Sequence, residues 1–155
     1  MKNMMELILA EKKKQELEQT LHCNEISARY GLLLNEKEAE EVILYKNEVL
    51  KENKRVEFGE SILPKIIETF CDSAYILQDT YAETLKELQE IFFYYKNESM
   101  DELSDDELLE FMKSQYEEIC FGDLDYLKGT CLERFAREVR SGHGADIFQK
   151  REDIL

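Results

Sequence analysis

Proline and glycine are scarce in this chain: one proline and six glycines among 155 residues. All-β sandwiches and barrels draw on both for their many turns, so the scarcity speaks against them. Tryptophan is absent, and histidine occurs only at His22 and His143. Neither G-x-G-x-x-G nor G-x-x-x-x-G-K is present, which leaves no glycine loop to cradle a phosphate. No apolar run approaches the roughly 18 residues that a transmembrane helix requires. Positive charge is also in short supply, with 20 Lys and Arg against 35 Asp and Glu and a formal net charge of −15. A nucleic-acid binder needs a basic footprint to replace counterions on phosphate, and no sizeable one is visible. Anionic membrane surfaces are disfavoured for the same reason. The partners that such a field favours are cations and basic proteins.

The four cysteines, Cys23, Cys71, Cys120 and Cys131, lie far apart with no C-x-x-C pair. In a reducing compartment they read as free thiols. A zinc site built from His22, Cys23, Cys71 and Cys120 would need three separate segments to meet, so no metal or other cofactor is expected. The opening stretch, residues 1–10, is interrupted by Glu6 and followed at once by Glu11-Lys12-Lys13-Lys14, unlike the uncharged core of a secretory signal. The expected location is the cytoplasm.

What the chain does have is apolar residues at helical spacing. The expected fold is all-α, an irregular bundle of about five or six helices in one domain over residues 1–142, with a frayed tail over 143–155. A first helix is read over 4–21; Met5, Leu9, Leu17 and Leu21 lie near one face, but Lys12 to Lys14 break the stripe, so either its middle is exposed or it packs only at its ends. A short helical turn follows at 24–30, with Asn24 as cap and Gly31 as the left-handed stop. Asn35-Glu36-Lys37-Glu38 approaches a capping box and opens a helix to about Asn53, with Ala39, Val42, Ile43, Val49 and Leu50 on its buried face. Arg55 to Gly59 and Gly31 to Leu34 both read as extended, and a minor two-stranded contact between them is allowed.

Ser61 caps the next helix, whose stripe is Ile62, Leu63, Ile66, Ile67, Phe70 and Cys71. A longer helix is read over 77–96 along Leu77, Tyr81, Leu85, Leu88, Phe92 and Tyr95. Ser104-Asp105-Asp106-Glu107 is a capping box with acids in the first turn, where the helix dipole favours them. It leads a stripe of Leu108, Leu109, Met112, Tyr116, Ile119 and Cys120, ended by Gly122. Asp123 to Lys128 reads as a short turn. Thr130-Cys131-Leu132-Glu133 reads as one more capping box, before Leu132, Phe135, Ala136 and Val139, with Gly142 as the stop.

Four stretches carry a resemblance: Arg55-Val56-Glu57-Phe58-Gly59-Glu60, Phe70-Cys71-Asp72-Ser73-Ala74-Tyr75, Tyr95-Lys96-Asn97-Glu98-Ser99 and Ser104-Asp105-Asp106-Glu107-Leu108. There the chain resembles an uncharacterised family of short acidic bacterial proteins, chiefly from clostridia and their relatives. The resemblance extends from about Leu21 to Arg140. It implies a bacterial, cytoplasmic protein and supplies no activity, cofactor or functional residue.

Catalytic groups are few. His22 adjoins Cys23, but neighbours on a helix point about 100° apart and do not face each other. The other cysteines sit in or beside apolar stripes, where cysteine acts as a small hydrophobe. Residues 98–125 hold eleven Asp or Glu and one Lys. They lack the glycine and spacing of a calcium loop, and no E-x-x-H supports a di-metal bundle. They read as a solvated face, or as a docking surface for a basic partner centred on Asp101, Glu102, Asp105, Asp106 and Glu110. Glu57, Asp72, Tyr75, Asn97 and Glu98 fall in helix connectors, where polar side chains either cap and turn the chain or gather into a ligand site. Phe92, Phe93, Tyr94 and Tyr95 point all round their helix; core burial is the preferred reading, and a homodimer through leftover aromatic surface is the other. The leading functional expectation is therefore a non-catalytic interaction or adaptor protein with an acidic helical face. The alternative is a small helical enzyme or ligand-binding domain with a polar pocket at its connectors.

Overall fold

The structure is a computed structural model that describes residues 3–57, 60–99 and 101–141. Four of its helices begin where a short polar side chain satisfies a free N–H group of the helix start. Asn3 and Glu6 form a reciprocal capping box at α1 (Met4–His22). Asn35 and Glu38 do the same for α3 (Glu36–Glu52), and Ser104 and Glu107 for α6 (Asp105–Glu118). Ser61 Oγ accepts from the Leu63 N–H at 3.3 Å and caps α4 (Ile62–Phe70). Between α1 and α3 lies a short helix α2 (Asn24–Ser27), prolonged by a 3-10 turn and stopped at Gly31, whose φ of +79° suits a residue without Cβ. The remaining elements are α5 (Tyr81–Glu98), α7 (Leu124–Tyr126) and α8 (Leu132–Arg140). A π-helical turn over Leu127–Cys131 joins the last two into one continuous rod. The fold is an all-α bundle of six main helices, with no strand among the described residues.

The centre of the bundle is α5, which packs against α3, α4, α6 and α8. Its buried residues, Tyr81, Leu85, Leu88, Gln89, Ile91, Phe92, Phe93, Tyr95 and Lys96, leave little of its surface to water. A helix apolar nearly all round belongs in such a position. Of its four consecutive aromatics only Tyr94 is substantially exposed, so core packing takes up the other three rings. Phe70 meets Tyr116 edge-on at 5.6 Å between α4 and α6, and Phe111 packs on Phe135 at 4.8 Å between α6 and α8. No described helix is long and apolar enough to cross a membrane.

Several local expectations are corrected. The two-stranded contact is not formed. Leu32, Leu33 and Leu34 are extended, but side chains take the place of a second strand. Ser27 Oγ donates to the Leu32 C=O, and the Leu32 N–H donates to the Ser27 C=O. The Gln78 amide pairs with both the N–H and the C=O of Leu33, at 2.7 and 2.9 Å. The Asn24 amide does the same for Leu34, at 2.9 and 2.8 Å. Asn24 is therefore a clamp on a later segment and not the cap of α2. Arg55 turns back, its N–H donating to the Leu50 C=O at 2.8 Å behind Lys54 in the left-handed region; Phe58 and Gly59 lie outside the described residues. Leu77 is exposed, and α5 starts at Tyr81 after a 3-10 turn. Thr130 caps nothing, because Asp123 has already opened the helix by accepting from the Tyr126 N–H at 3.1 Å. Gly142 and the tail 143–155 also lie outside the described residues.

The Asn24 clamp has a measurable weight. Asn24→Ala strands one donor and one acceptor of a half-buried peptide, each worth about 1–3 kcal/mol when left unsatisfied. The expected result is a lower urea midpoint with an unchanged m-value. Asn24→Asp is expected to fall less far, since it keeps the acceptor for the Leu34 N–H and loses only the donor.

Candidate functional site

The stripe of α3 runs Ala39, Val42, Ile43, Lys46, Val49, Leu50. Lys46 thus occupies an inward slot, and only 1% of it is exposed. Its ammonium is held by the carboxylates of Glu16 from α1 and Glu57 from the connector, and by Ser61 Oγ at 3.0 Å. Ser61 Oγ donates onward to Glu16 at 3.2 Å, and the other Glu57 oxygen accepts from the Ile62 N–H at 2.9 Å. Two carboxylates thus meet one ammonium, and the positive end of the α4 dipole faces the second of them. Three helices converge on this one cation. Counting apolar residues misses Lys46, although its position four residues before Leu50 and seven after Ala39 marks it as buried.

Beside this network lies a cleft of about 430 Å³ between the α3–α4 and α5–α6 connectors. Arg55, Glu57, Lys65, Lys96, Phe92 and Phe93 are among its walls. Its cations are already engaged. Arg55 binds Asn97 and Asp101, Lys65 reaches Asp106 at 3.1 Å, and Lys96 binds Asp105 at 3.0 Å and the Leu103 C=O. The helix N-terminus that could have taken an external anion holds Glu57 instead.

The connector residues expected to gather are therefore divided. Glu57 lines this cleft, and Asn97 accepts from Arg55, another of its walls. Asp72 and Tyr75 stand beyond the other end of α4, where Asp72 pairs with Lys113 and Tyr75 lies edge-on to Tyr116 at 6.1 Å. Glu98 pairs with Arg140 of α8. The five acids expected to form a docking face, Asp101, Glu102, Asp105, Asp106 and Glu110, all stand exposed; Asp101, Asp105 and Asp106 among them are partners of the cleft cations. A smaller acidic cleft of about 310 Å³ places Glu83, Glu87, Glu90 and Asp125 around Lys128. Burial, then the negative charge of Asp125, holds the Glu87 carboxyl above the usual range.

The other exposed feature is α1. Residues 4–15 are helical and exposed, whereas in the C-terminal part of the helix Leu17 and Leu21 are half-buried and Thr20 is buried. Met4 is 73% exposed, and Met5, Leu7, Ile8 and Leu9 are each more than half exposed. A groove of about 460 Å³ opens beside it, with Leu9, Leu44 and Val56 as apolar wall and Lys12, Lys13 and Lys51 along the edge.

No three His, Cys, Asp or Glu side chains among the described residues stand close enough to hold a metal ion. His22 reaches only Glu25, at 3.5 Å on the surface. Bundle and clefts together define an all-helical domain organised by internal ion pairs. The chain belongs to a family of unknown function, DUF6323, whose profile matches residues 19–145. The match begins in α1 at the point where that helix meets the body. No curated protein and no solved structure matches the chain.

Proposed function

We propose that the chain is a non-catalytic, cytoplasmic interaction protein that works as a homodimer, with the free half of α1 as its docking element. The observation that carries this reading is the exposure of Met4, Met5, Leu7, Ile8 and Leu9 on one helical segment that the other described residues leave more than half open. A few helical turns standing in water are marginal without tertiary packing, and a contiguous apolar surface of this kind is covered in most soluble proteins. A second copy fits because donor and acceptor surfaces adjoin at Leu9: the helix tip and the groove belong to one continuous patch, as an isologous contact requires. Charge supports the same occupant. Glu6 and Glu11 precede Lys12, Lys13 and Lys14, so two antiparallel α1 helices crossing near Leu9 bring Glu6 of one copy to Lys12 of the other.

The acidic face of α6 supports docking less well, because three of its five candidate acids already neutralise Arg55, Lys65 and Lys96. The ligand-site alternative is weakened by the same pairs, which an incoming anion would have to displace.

Sedimentation velocity over a concentration series tests the proposal. The wild type is expected to dimerise, and Ile8→Glu and Leu9→Glu to sediment as monomers that still unfold in one cooperative transition. A wild-type chain that remains monomeric at every concentration rejects the second copy as occupant. So does a dimer that both substitutions leave intact.

A further inference from the structure

Cys120 and Cys131 come from different elements, one just past the end of α6 and the other closing the π-helical turn, yet their Sγ atoms are 3.5 Å apart. We propose that these two thiols form a reversible disulfide site that reacts with small acidic disulfides. Bonding requires the sulfurs to approach to about 2.05 Å, a short further movement. The backbone around them can absorb it. A π turn is wider than an α turn, and Gly129 within it has no neighbour that even a Cβ would touch.

The two thiols are not equivalent, and their difference orders the reaction. Cys131 is half-buried, whereas Cys120 is 6% exposed and its thiol is pushed up to about 12 by burial and by Cys131 beside it. Cys131 is therefore the sulfur that meets the reagent. Its thiolate attacks one sulfur of the disulfide, whose S–S bond breaks and expels one thiolate, leaving Cys131 in a mixed disulfide. Cys120 then gives up its proton to solvent and attacks Cys131 Sγ, expelling the second thiolate. Both leaving thiolates take up protons, so two protein thiols are oxidised to one disulfide while the reagent is reduced to two thiols.

The acidic class of reagent follows from the neighbourhood. A shallow cleft formed by Gly129, Thr130, Arg134, Arg137 and Glu138 adjoins Cys131 in the chain; its two arginines stand exposed one turn apart on α8 and outnumber its single acid. In a chain of net charge −15 they are a local attraction for carboxylates. Cys23 and Cys71 are both buried, so neither is the more open thiol that Cys131 is.

Peptide mapping tests the site. The native protein is incubated with oxidised glutathione, alkylated and digested with trypsin. Cleavage after Lys113, Lys128 and Arg134 puts Cys120 and Cys131 on separate peptides, 114–128 and 129–134. The expected result is that these two peptides are recovered joined, and that dithiothreitol separates them. Cys120→Ser is expected to stop at a glutathione adduct on Cys131, and Cys131→Ser to leave Cys120 unmodified. Two alkylated, unjoined peptides from the wild type overturn the proposal, as does a joined pair that includes Cys23 or Cys71. A glutathione adduct that persists on wild-type Cys131 overturns the second step.

Discussion

Lys46→Ala is expected to lower the stability of the fold by about 3–5 kcal/mol, the usual cost of removing one member of a buried ion pair. The cost is not chiefly the lost attraction. Glu16 and Glu57 are themselves mostly buried, with 12% and 15% of their side chains exposed, and without the ammonium they face each other with little water between. Ser61 loses its strongest donor at the same time, so the start of α4 is weakened with the charge network. Lys46→Met restores most of the volume but none of the charge, and is expected to fall nearly as far. Adding Glu16→Gln and Glu57→Gln to Lys46→Met removes the orphaned charges, and is expected to recover much of the loss, as hydrophobic replacements of whole buried networks have done elsewhere. Urea titrations of the four proteins at neutral pH decide the matter. A single Lys46→Ala cost below about 1 kcal/mol would mean that the ammonium behaves as a surface charge and that the convergence of three helices on it is incidental.

The second large effect is expected at Gly122. Its φ is +83°, and an ideal Cβ there would lie within 2.8 Å of three side-chain atoms of Tyr75. Gly122→Ala therefore carries two penalties, a left-handed residue with a side chain and a contact too close to persist. Tyr75 cannot simply rotate away, because one of the three atoms is its own Cβ, fixed to the backbone. Together these are expected to cost about 3 kcal/mol, which for a domain of this size lowers the thermal midpoint by about 6–12 °C. Tyr75→Ala in the same background relieves the ring atoms and leaves the Cβ, so only part of the loss should return. Full recovery in that double variant would show that the ring alone was in the way.

The parts of the fold that were legible in the sequence are those decided within a turn or two. The Asn35 and Ser104 capping boxes, the Gly31 stop and the stripes of α4 and α8 depend on spacings of three and four, and they form as read; the α6 stripe does so except at Ile119, which is 48% exposed just past the end of the helix. The errors share one cause, a local signal overruled from a distance. Thr130 has a cap's sequence, but a helix already under way from Asp123 passes through it. Gly31 to Leu34 has an extended pattern, but Asn24 and Gln78 reach it before any strand can. The first helix shows an interrupted stripe, and the structure explains the interruption: the segment containing Lys12 to Lys14 is exposed. The candidate site was less legible still. Glu57 could be picked from its connector, but its partners Lys46 and Glu16 lie 11 and 41 residues away, and only the assembled bundle brings them together. The division of Asp72 and Tyr75 from Asn97 and Glu98 likewise depends on which ends of α4 and α5 are neighbours, which no local pattern encodes.

The side chains that fill in for a missing strand along Leu32 to Leu34 have a consequence for how copies of the chain meet. An extended segment with idle peptide groups invites a neighbour to lie alongside it and propagate, the first step towards insoluble stacks. Here all six of those groups are taken, three N–H and three C=O, by Ser27, Gln78 and Asn24. The leucines can therefore anchor the core through Leu32 and Leu34 while the ribbon that carries them offers no template. Association through this part of the surface must go by way of side chains, and self-templated growth from it is closed off at the level of single amides.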